Sequence, residues 1–406
     1  MRLIFSSIFL VLMLSSCFVS KQVRLAKGGE VIQKNFETSI DFEYFKGLIY
    51  LPVIIEGNTY NFIYDSGAFM NVISVELAAN LNLEEEITSS VKSSSGRKQQ
   101  SGMVELPSAV IGGIEFKNTG TIIQDLDGLN SFLGCHAIDG IIGNNLMRKA
   151  NWKIDYDNEL ILLSSTSDVF EHSESAVVIP LSNKKWGNKH LKVSINGIEE
   201  YYTFDTGFSG YIQNDLNFYK KLKNQDTLMN FATSKGLLSA DLYGATFSET
   251  HMFLFDSLIL GDAKAENQKM KLKENGSSLI GNIFFESYDL TMDWDNNQLI
   301  LDPIKTLKND TLRVFDVIIA PNYNTYSLEI KGEWKFDSEV NIKMGSKILT
   351  VNGMDVSAFS KEKLCKYWDI EWKDVVKEGA INITVLEDGI EKEYALKKRQ
   401  LLPVVD

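Results

Sequence analysis

The sequence predicts a mainly β protein: two pseudo-symmetric β-lobes followed by a small α+β domain. Apolar residues alternate around short turn signals along the chain, the period-two pattern of half-buried strands. One β-unit occurs twice, in residues 36–170 and again in 171–305. After Pro303 the pattern changes, and residues 306–406 combine hairpin-forming runs with one stretch spaced as an amphipathic helix.

The 406 residues exceed what a single hydrophobic core commonly serves, so several modules are expected. A hydrophobic share of 44% with 23% charged residues is that of a folded chain. A net charge of −13 repels a phosphate backbone, and the pairs Lys184-Lys185, Lys220-Lys221 and Lys397-Lys398 are isolated. No nucleic-acid partner is expected.

The N-terminus "MRLIFSSIFLVLMLSSC" joins one positive residue to an apolar stretch too short for a stable membrane span, with small residues before Cys17. Residues 1–17 therefore read as a secretion signal. Leu14-Ser15-Ser16-Cys17 resembles the lipobox of bacterial lipoproteins. That resemblance implies lipidation at Cys17, a tether over 18–35, and lipid anchoring in the bacterial cell envelope, in the periplasm or at the outer membrane. An ordinary cleaved signal is the alternative. Cys135 and Cys365 are too few and too far apart in sequence to predict a disulfide framework or a zinc site, so packing is expected to supply the stability.

In "LPVIIEGNTYNFIYDSG", Val53, Ile55, Tyr60, Phe62 and Tyr64 alternate around Glu56-Gly57. In "LKVSINGIEEYYTFDTG", Val193, Ile195, Tyr202 and Phe204 alternate around Asn196-Gly197. Both read as β-hairpins, and each delivers an Asp at the end of its returning strand. The two Asp residues stand 140 positions apart, 65 to 205. Further on, "GIIGNNLMRKANWKIDYDNELILL" parallels "SLIGNIFFESYDLTMDWDNNQLILD", with Ile142 and Ile280 separated by 138. Nearly equal offsets indicate one duplicated unit, and a two-fold axis between the copies would bring Asp65 and Asp205 together.

Two adjacent carboxylates share a proton, because repulsion between like charges raises one proton affinity. The ionised member can activate water while the protonated member polarises a carbonyl, which is peptide hydrolysis without a cofactor or metal. Gly67 and Gly207 allow close backbone approach and offer amides to the carboxylates, and the hydroxyls of Ser66 and Thr206 are placed to bond across to the opposite lobe. His136, His172, His190 and His251 are scattered, with no ligand or triad spacing. The acidic runs Glu84-Glu85-Glu86 and Asp293-Trp294-Asp295 read as a solvated helix end and a hairpin turn.

These motifs resemble the retropepsin-like and pepsin-like aspartic proteases. Asp65-Ser66-Gly67-Ala68 and Asp205-Thr206-Gly207 match that family's Asp-Thr/Ser-Gly, and Ile141-Ile142-Gly143 and Leu279-Ile280-Gly281 match its apolar-apolar-Gly. The resemblance spans roughly residues 36–303. It implies two lobes around a central cleft, Asp65 and Asp205 as the catalytic pair, and a peptide or protein substrate. By order, hairpins around Gly96 to Gly102 and Gly236 to Gly244 would close over that substrate with mobile tips. Phe208 departs from the family's usual small residue and is expected either to narrow the cleft or to alter the second lobe's approach. The alternative is a non-catalytic peptide-binding or assembly lipoprotein on the same scaffold.

In the last hundred residues, Ile348, Thr350 and Val351 lead into Asn352-Gly353, and Ile381, Ile383 and Val385 alternate before Glu387-Asp388-Gly389. Between them Leu364, Tyr367, Trp368 and Val375 are spaced as one helix face. Residues 344–353 resemble part of a PDZ domain, which implies a C-terminal peptide ligand captured by strand addition. A docking module without a peptide ligand is the other reading.

Overall fold

The computed structural model describes residues 21–183, 188–223, 231–305, 312–336 and 340–402. Residues 1–17, read above as a secretion signal ending in Cys17, and the Lys184-Lys185 pair lie outside the described residues. The described chain is mainly β, and none of its helices is long and apolar enough to cross a membrane.

Both Asp-bearing hairpins form. Strands Leu48–Ile55 and Asn58–Tyr64 pair antiparallel through a two-residue turn at Glu56 (φ 49°) and Gly57 (φ 79°). Strands Lys189–Ile195 and Ile198–Phe204 do the same through Asn196 (φ 46°) and Gly197 (φ 80°). Positive φ at both turn positions matches the twist of the flanking strands. The alternation holds as well: Val53 and Ile55 are buried while Pro52 and Ile54 face solvent.

Each returning strand then lies parallel to the apolar-apolar-Gly strand of its own half. Phe62 to Tyr64 run beside Gly140 to Ile142, and Thr203 and Phe204 beside Leu279 and Ile280. On the other side of those strands lie Asn71–Ser74 and Ile212–Asp215, antiparallel. The loop after each Asp is thus clamped between strands that arrive from far away in sequence.

The second hairpins of the two halves meet. Asn151–Asp155 with Leu160–Ser164, and Tyr288–Asp293 with Gln298–Pro303, join through Trp152↔Met292 and Ile154↔Leu290. The resulting six-stranded sheet takes three strands from residues 37–164 and three from 177–303. One apolar cluster runs from Ile49 and Trp152 to Phe204 and Phe285, across both halves. Burial of that continuous surface is what holds the two halves at a fixed separation.

The C-terminal unit has its own core around Ile330, Ile348, Leu364, Ile383 and Val385. Its helix Lys361–Lys366 is capped by Ser360, whose Oγ accepts from the Lys363 N–H at 3.2 Å. The helix continues through a π-turn at Tyr367–Glu371 into Trp372–Val375, burying Leu364 and Tyr367. The unit does not stand apart. Strand Ser327–Trp334 pairs with Phe231–Asp241 through Gly332↔Gly236 and Trp334↔Ser234, extending a fourteen-stranded sheet. Along 327–333 its other edge is held by Val317–Asn322.

One expectation is overturned. Cys135 and Cys365 form a disulfide, with Cα atoms 5.9 Å apart. Cys135 follows helix Asp127–Leu133 and Cys365 lies in Lys361–Lys366, so the bond ties the C-terminal unit to the first half. Sequence distance hid this pairing because only the docking of two separately folded parts brings the residues together. Ion pairs surround the junction: Asp369 accepts from Lys46 Nζ at 2.7 Å and lies 3.3 Å from His136 Nε2, while His136 Nδ1 is 3.1 Å from Glu43. The His136 ring stacks on Phe45 with centroids 3.8 Å apart.

Candidate active site

Asp65 and Asp205 stand together on the floor of a cleft of about 560 Å³. Each leaves its strand with the backbone N–H bonded to the neighbouring apolar-apolar-Gly strand, Asp65 to Ile142 O and Asp205 to Ile280 O, both at 3.0 Å. The loops fold back alike. Gly67 N–H donates to Asp65 Oδ1 at 2.7 Å and Ala68 N–H to the same atom at 3.0 Å, while Gly207 N–H donates to Asp205 Oδ1 at 3.0 Å.

The glycines also make room for the opposite carboxyl. A Cβ on Gly67 would meet Asp205 Cγ at 2.5 Å, and one on Gly207 would meet Asp65 Cγ at 2.2 Å. Each carboxyl group sits over the other loop's glycine, where any side chain would displace it.

Ser66 and Thr206 exchange hydrogen bonds between the two loops. Ser66 N–H donates to Thr206 Oγ1 and Thr206 N–H to Ser66 Oγ, both at 2.9 Å. The hydroxyls then donate onward, Ser66 Oγ to Phe204 O at 3.0 Å and Thr206 Oγ1 to Tyr64 O at 2.8 Å. All four groups are buried, so each lost bond leaves an orphan in a dry site. A Thr206→Val protein, keeping shape but no hydroxyl, is expected to lose about 3 kcal/mol of stability, read as a lower urea midpoint. An unchanged midpoint would show that these bonds carry no stability.

Burial raises both carboxyls above the ordinary aspartate value. At Asp65 the Gly67 and Ala68 amides and the bond with Asp205 pull it partly back, whereas at Asp205 the charge of Asp65 adds to burial and holds that carboxyl well above the usual range. Burial and the closeness of two like charges therefore favour one proton retained by the pair, which titrates as a unit.

Three asparagines that sequence reading gave no role support the loops. Asn144 Nδ2 donates to Ser66 O and Asn282 Nδ2 to Thr206 O, each at 2.6 Å, and Asn282 also reaches Gly47 O at 2.9 Å. Both directly follow the apolar-apolar-Gly motifs, so the duplicated Gly-Asn was the available signal. Asn188 Nδ2 donates to Gly67 O at 2.7 Å from outside either motif, and nothing local marks it. Phe208 lines the cleft with its ring folded over Gly210 and Gly281.

Two hairpins overhang the pair. Strands Ile87–Lys92 and Lys98–Ile111 turn at 93–97, and Phe231–Asp241 and Gly244–Leu260 turn at Leu242-Tyr243. Val91 to Ser94 from the first and Ser239 to Leu242 from the second line the cleft. Their tips are joined. Arg97 pairs with Asp241 and donates to Gly244 O at 2.6 Å, Ser95 bonds Asp241, and Tyr243 OH donates to Val91 O at 2.7 Å. Burial works against the charge of Asp241, but bonds from Ser93, Ser95, Tyr243 N–H and Arg97 hold its carboxyl below the usual value.

Gly236 serves a purpose other than tip mobility. It lies inside its strand at φ 139°, and a Cβ there would meet Gly332 Cα at 2.4 Å, so it permits the C-terminal strand to pair. Among the described residues no group of three or more His, Cys, Asp or Glu is placed to hold a metal ion. His172 bonds Asp302 at 2.7 Å and His251 bonds Thr233 at 2.9 Å, both outside the cleft lining.

Residues 51–146 match the family model described as aspartyl protease, a stretch that contains Asp65-Ser66-Gly67 and Ile141-Ile142-Gly143. No curated protein matches the chain.

Proposed function

We propose that the protein is an aspartic endopeptidase in which Asp65 and Asp205 activate water between two lobes, residues 36–170 and 171–305. The observation that carries this reading is the reciprocal fit of the two loops, each carboxyl seated over the opposite glycine with Ser66 and Thr206 bonded across. A lone turn carboxylate has no need of that arrangement.

In this reading Asp65 is the ionised member of the pair and Asp205 the protonated one. Ionised Asp65 takes a proton from water as the oxygen attacks the scissile carbonyl carbon, while Asp205 gives its proton to the carbonyl oxygen. A neutral tetrahedral diol results. Asp65, now protonated, delivers a proton to the departing nitrogen, Asp205 recovers one from the diol, and the C–N bond breaks to give a carboxyl group and an amine. Burial of the pair strengthens each of these interactions relative to water.

An extended peptide suits the cleft, since strands on both sides offer edges to pair with. The joined tips at Arg97 and Asp241 would part to admit it. The PDZ-like unit, residues 306–406, acts in this reading as a scaffold for the second hairpin. The double pairing of strand Ser327–Trp334 supports that role over peptide capture on the same strand. Export and a lipid tether at Cys17 fit a chain with a disulfide, since such bonds persist in oxidising compartments.

The test is cleavage of a denatured protein mixture by the purified full chain, with and without a peptide mimic carrying a secondary hydroxyl in place of the scissile carbonyl. Cleavage that the mimic abolishes is expected. Absence of any cleavage between about pH 3 and pH 8 would overturn the reading.

A further inference from the structure

Each Asp-bearing hairpin brings the residue at its start into the cleft, and the two residues differ. Leu48 and Asn188 hold the same place, each eight positions ahead of its turn at Glu56-Gly57 or Asn196-Gly197. Both line the cleft. A leucine serves in one half and an amide in the other, so the scaffold itself does not demand the amide.

Asn188 Nδ2 crosses to the first loop and donates to Gly67 O at 2.7 Å, at the glycine over which the Asp205 carboxyl sits. A carbonyl only accepts, so this bond fixes which end of the amide faces the loop. The other end is Oδ1. It is buried without a hydrogen-bond partner, and the geometry of the amide keeps it within about 5 Å of the Gly67 oxygen. Among the described residues, Tyr211 is the other cleft-lining residue with such an atom, but a hydroxyl can give or take a bond whereas an amide oxygen only accepts. Asn144 and Asn282 bond their loops in the same manner outside the cleft lining. Asn144 Oδ1 is unpaired too, and Asn282 Oδ1 accepts from Tyr156 OH at 2.8 Å. Only the Asn188 oxygen joins an unmet demand for a donor to a place in the cleft beside the carboxyl pair.

We propose that Asn188 Oδ1 accepts one backbone N–H of the bound peptide beside the scissile bond, which makes Asn188 a substrate-positioning residue and closes the cleft to proline at that one position. The inference rests on the endopeptidase reading for its chemistry, but the contact itself is a matter of binding. A buried acceptor without a partner has already given up its bonds to water, so an arriving N–H meets no competitor for it. Held at Nδ2, the amide turns about that bond to meet the peptide. Proline and N-methylated residues lack the hydrogen and would leave the oxygen unpaired under a bound chain. The contact reads the peptide backbone, so it tolerates any other side chain there.

The experiment uses quenched fluorescent peptides of one sequence, each N-methylated at a single backbone nitrogen on either side of the scissile amide, with that amide left unaltered. In the full chain, methylation at one position is expected to cost about tenfold or more in kcat/KM. In Asn188→Leu, which borrows the residue of the matching place, and in Asn188→Ala, the unmethylated peptide should be cut about tenfold less well, and that one methyl should cost no more than about twofold. Penalties at the other positions should stay. A merely structural role for Asn188 would lower every peptide alike and leave the pattern of penalties as it was. A scan of the unaltered chain in which no methyl costs tenfold, or a pattern that both variants keep, overturns the assignment. The same peptides are titrated into Asp65→Asn protein by fluorescence anisotropy. The one-position penalty there without turnover in the unaltered chain would uphold the contact and sink the endopeptidase reading; turnover in the unaltered chain with binding that ignores every methyl would sink the contact and leave that reading standing.

Discussion

An Asp65→Asn protein is expected to lose at least about a thousandfold in kcat/KM for peptide hydrolysis and to melt at a higher temperature near neutral pH. The first effect follows from the base. Asn cannot take a proton from water, yet its Oδ1 still accepts from the Gly67 and Ala68 amides, so the loop keeps its shape. The second effect follows from the cost of holding charge on a buried floor. The carboxyl of Asp205 is raised above its unfolded value of 3.8, first by burial and then by the charge of Asp65. A raised value means stability that is fully present below pH 3.8 and declines as pH climbs toward the folded value. Removing Asp65's charge removes the second cause, so the decline becomes shallower. The gain in melting temperature should therefore be present near pH 7 and vanish below about pH 3.8. Retained turnover would remove Asp65 from the mechanism. A gain of equal size at every pH would show that something other than charge produced it.

What the sequence made legible was whatever it repeats locally. The hairpins that deliver Asp65 and Asp205 are written in alternation and turn residues, and both form where expected. The small residues after each Asp were legible because a shared axis demands them. Other features depend on contacts between distant segments. No pattern in "NWKID" or "LTMD" says that Trp152 will pair with Met292 in one sheet. Gly236 reads as a flexible tip until Gly332 is found against it. Nothing local in the sequence sets Lys271 beside Gln213, where the register places it as Ile122 lies beside Val72. Periodicity reports which face of a strand is apolar, but which strand lies next to it is settled by packing of the whole.

Reducing the Cys135–Cys365 bond, or replacing Cys135 with Ser, is expected to cost the protein several kcal/mol, with a ceiling of about 5 kcal/mol from chain entropy. The bond closes a loop of 230 residues, and long loops lose the most freedom when closed. The loss should fall unevenly. The core shared by the two halves does not include the C-terminal unit, whose own cluster is separate. Among the contacts that remain at the junction are the short strand pairing at Gly236 and Gly332 and the contacts of Asp369 with Lys46 and His136. The C-terminal unit should therefore loosen first, and the strand Phe231–Asp241 that it extends should follow. Reduced protein should be nicked by an added protease within the C-terminal unit before the two halves are cut, whereas oxidised protein should resist at both. Exchange of backbone amides at 232–236 should quicken on reduction while that of 152–154, in the six-stranded sheet, stays slow. Equal protection of both segments in reduced and oxidised protein would show that the crosslink adds nothing to the docking, and that the strand pairing alone fixes the C-terminal unit against the cleft.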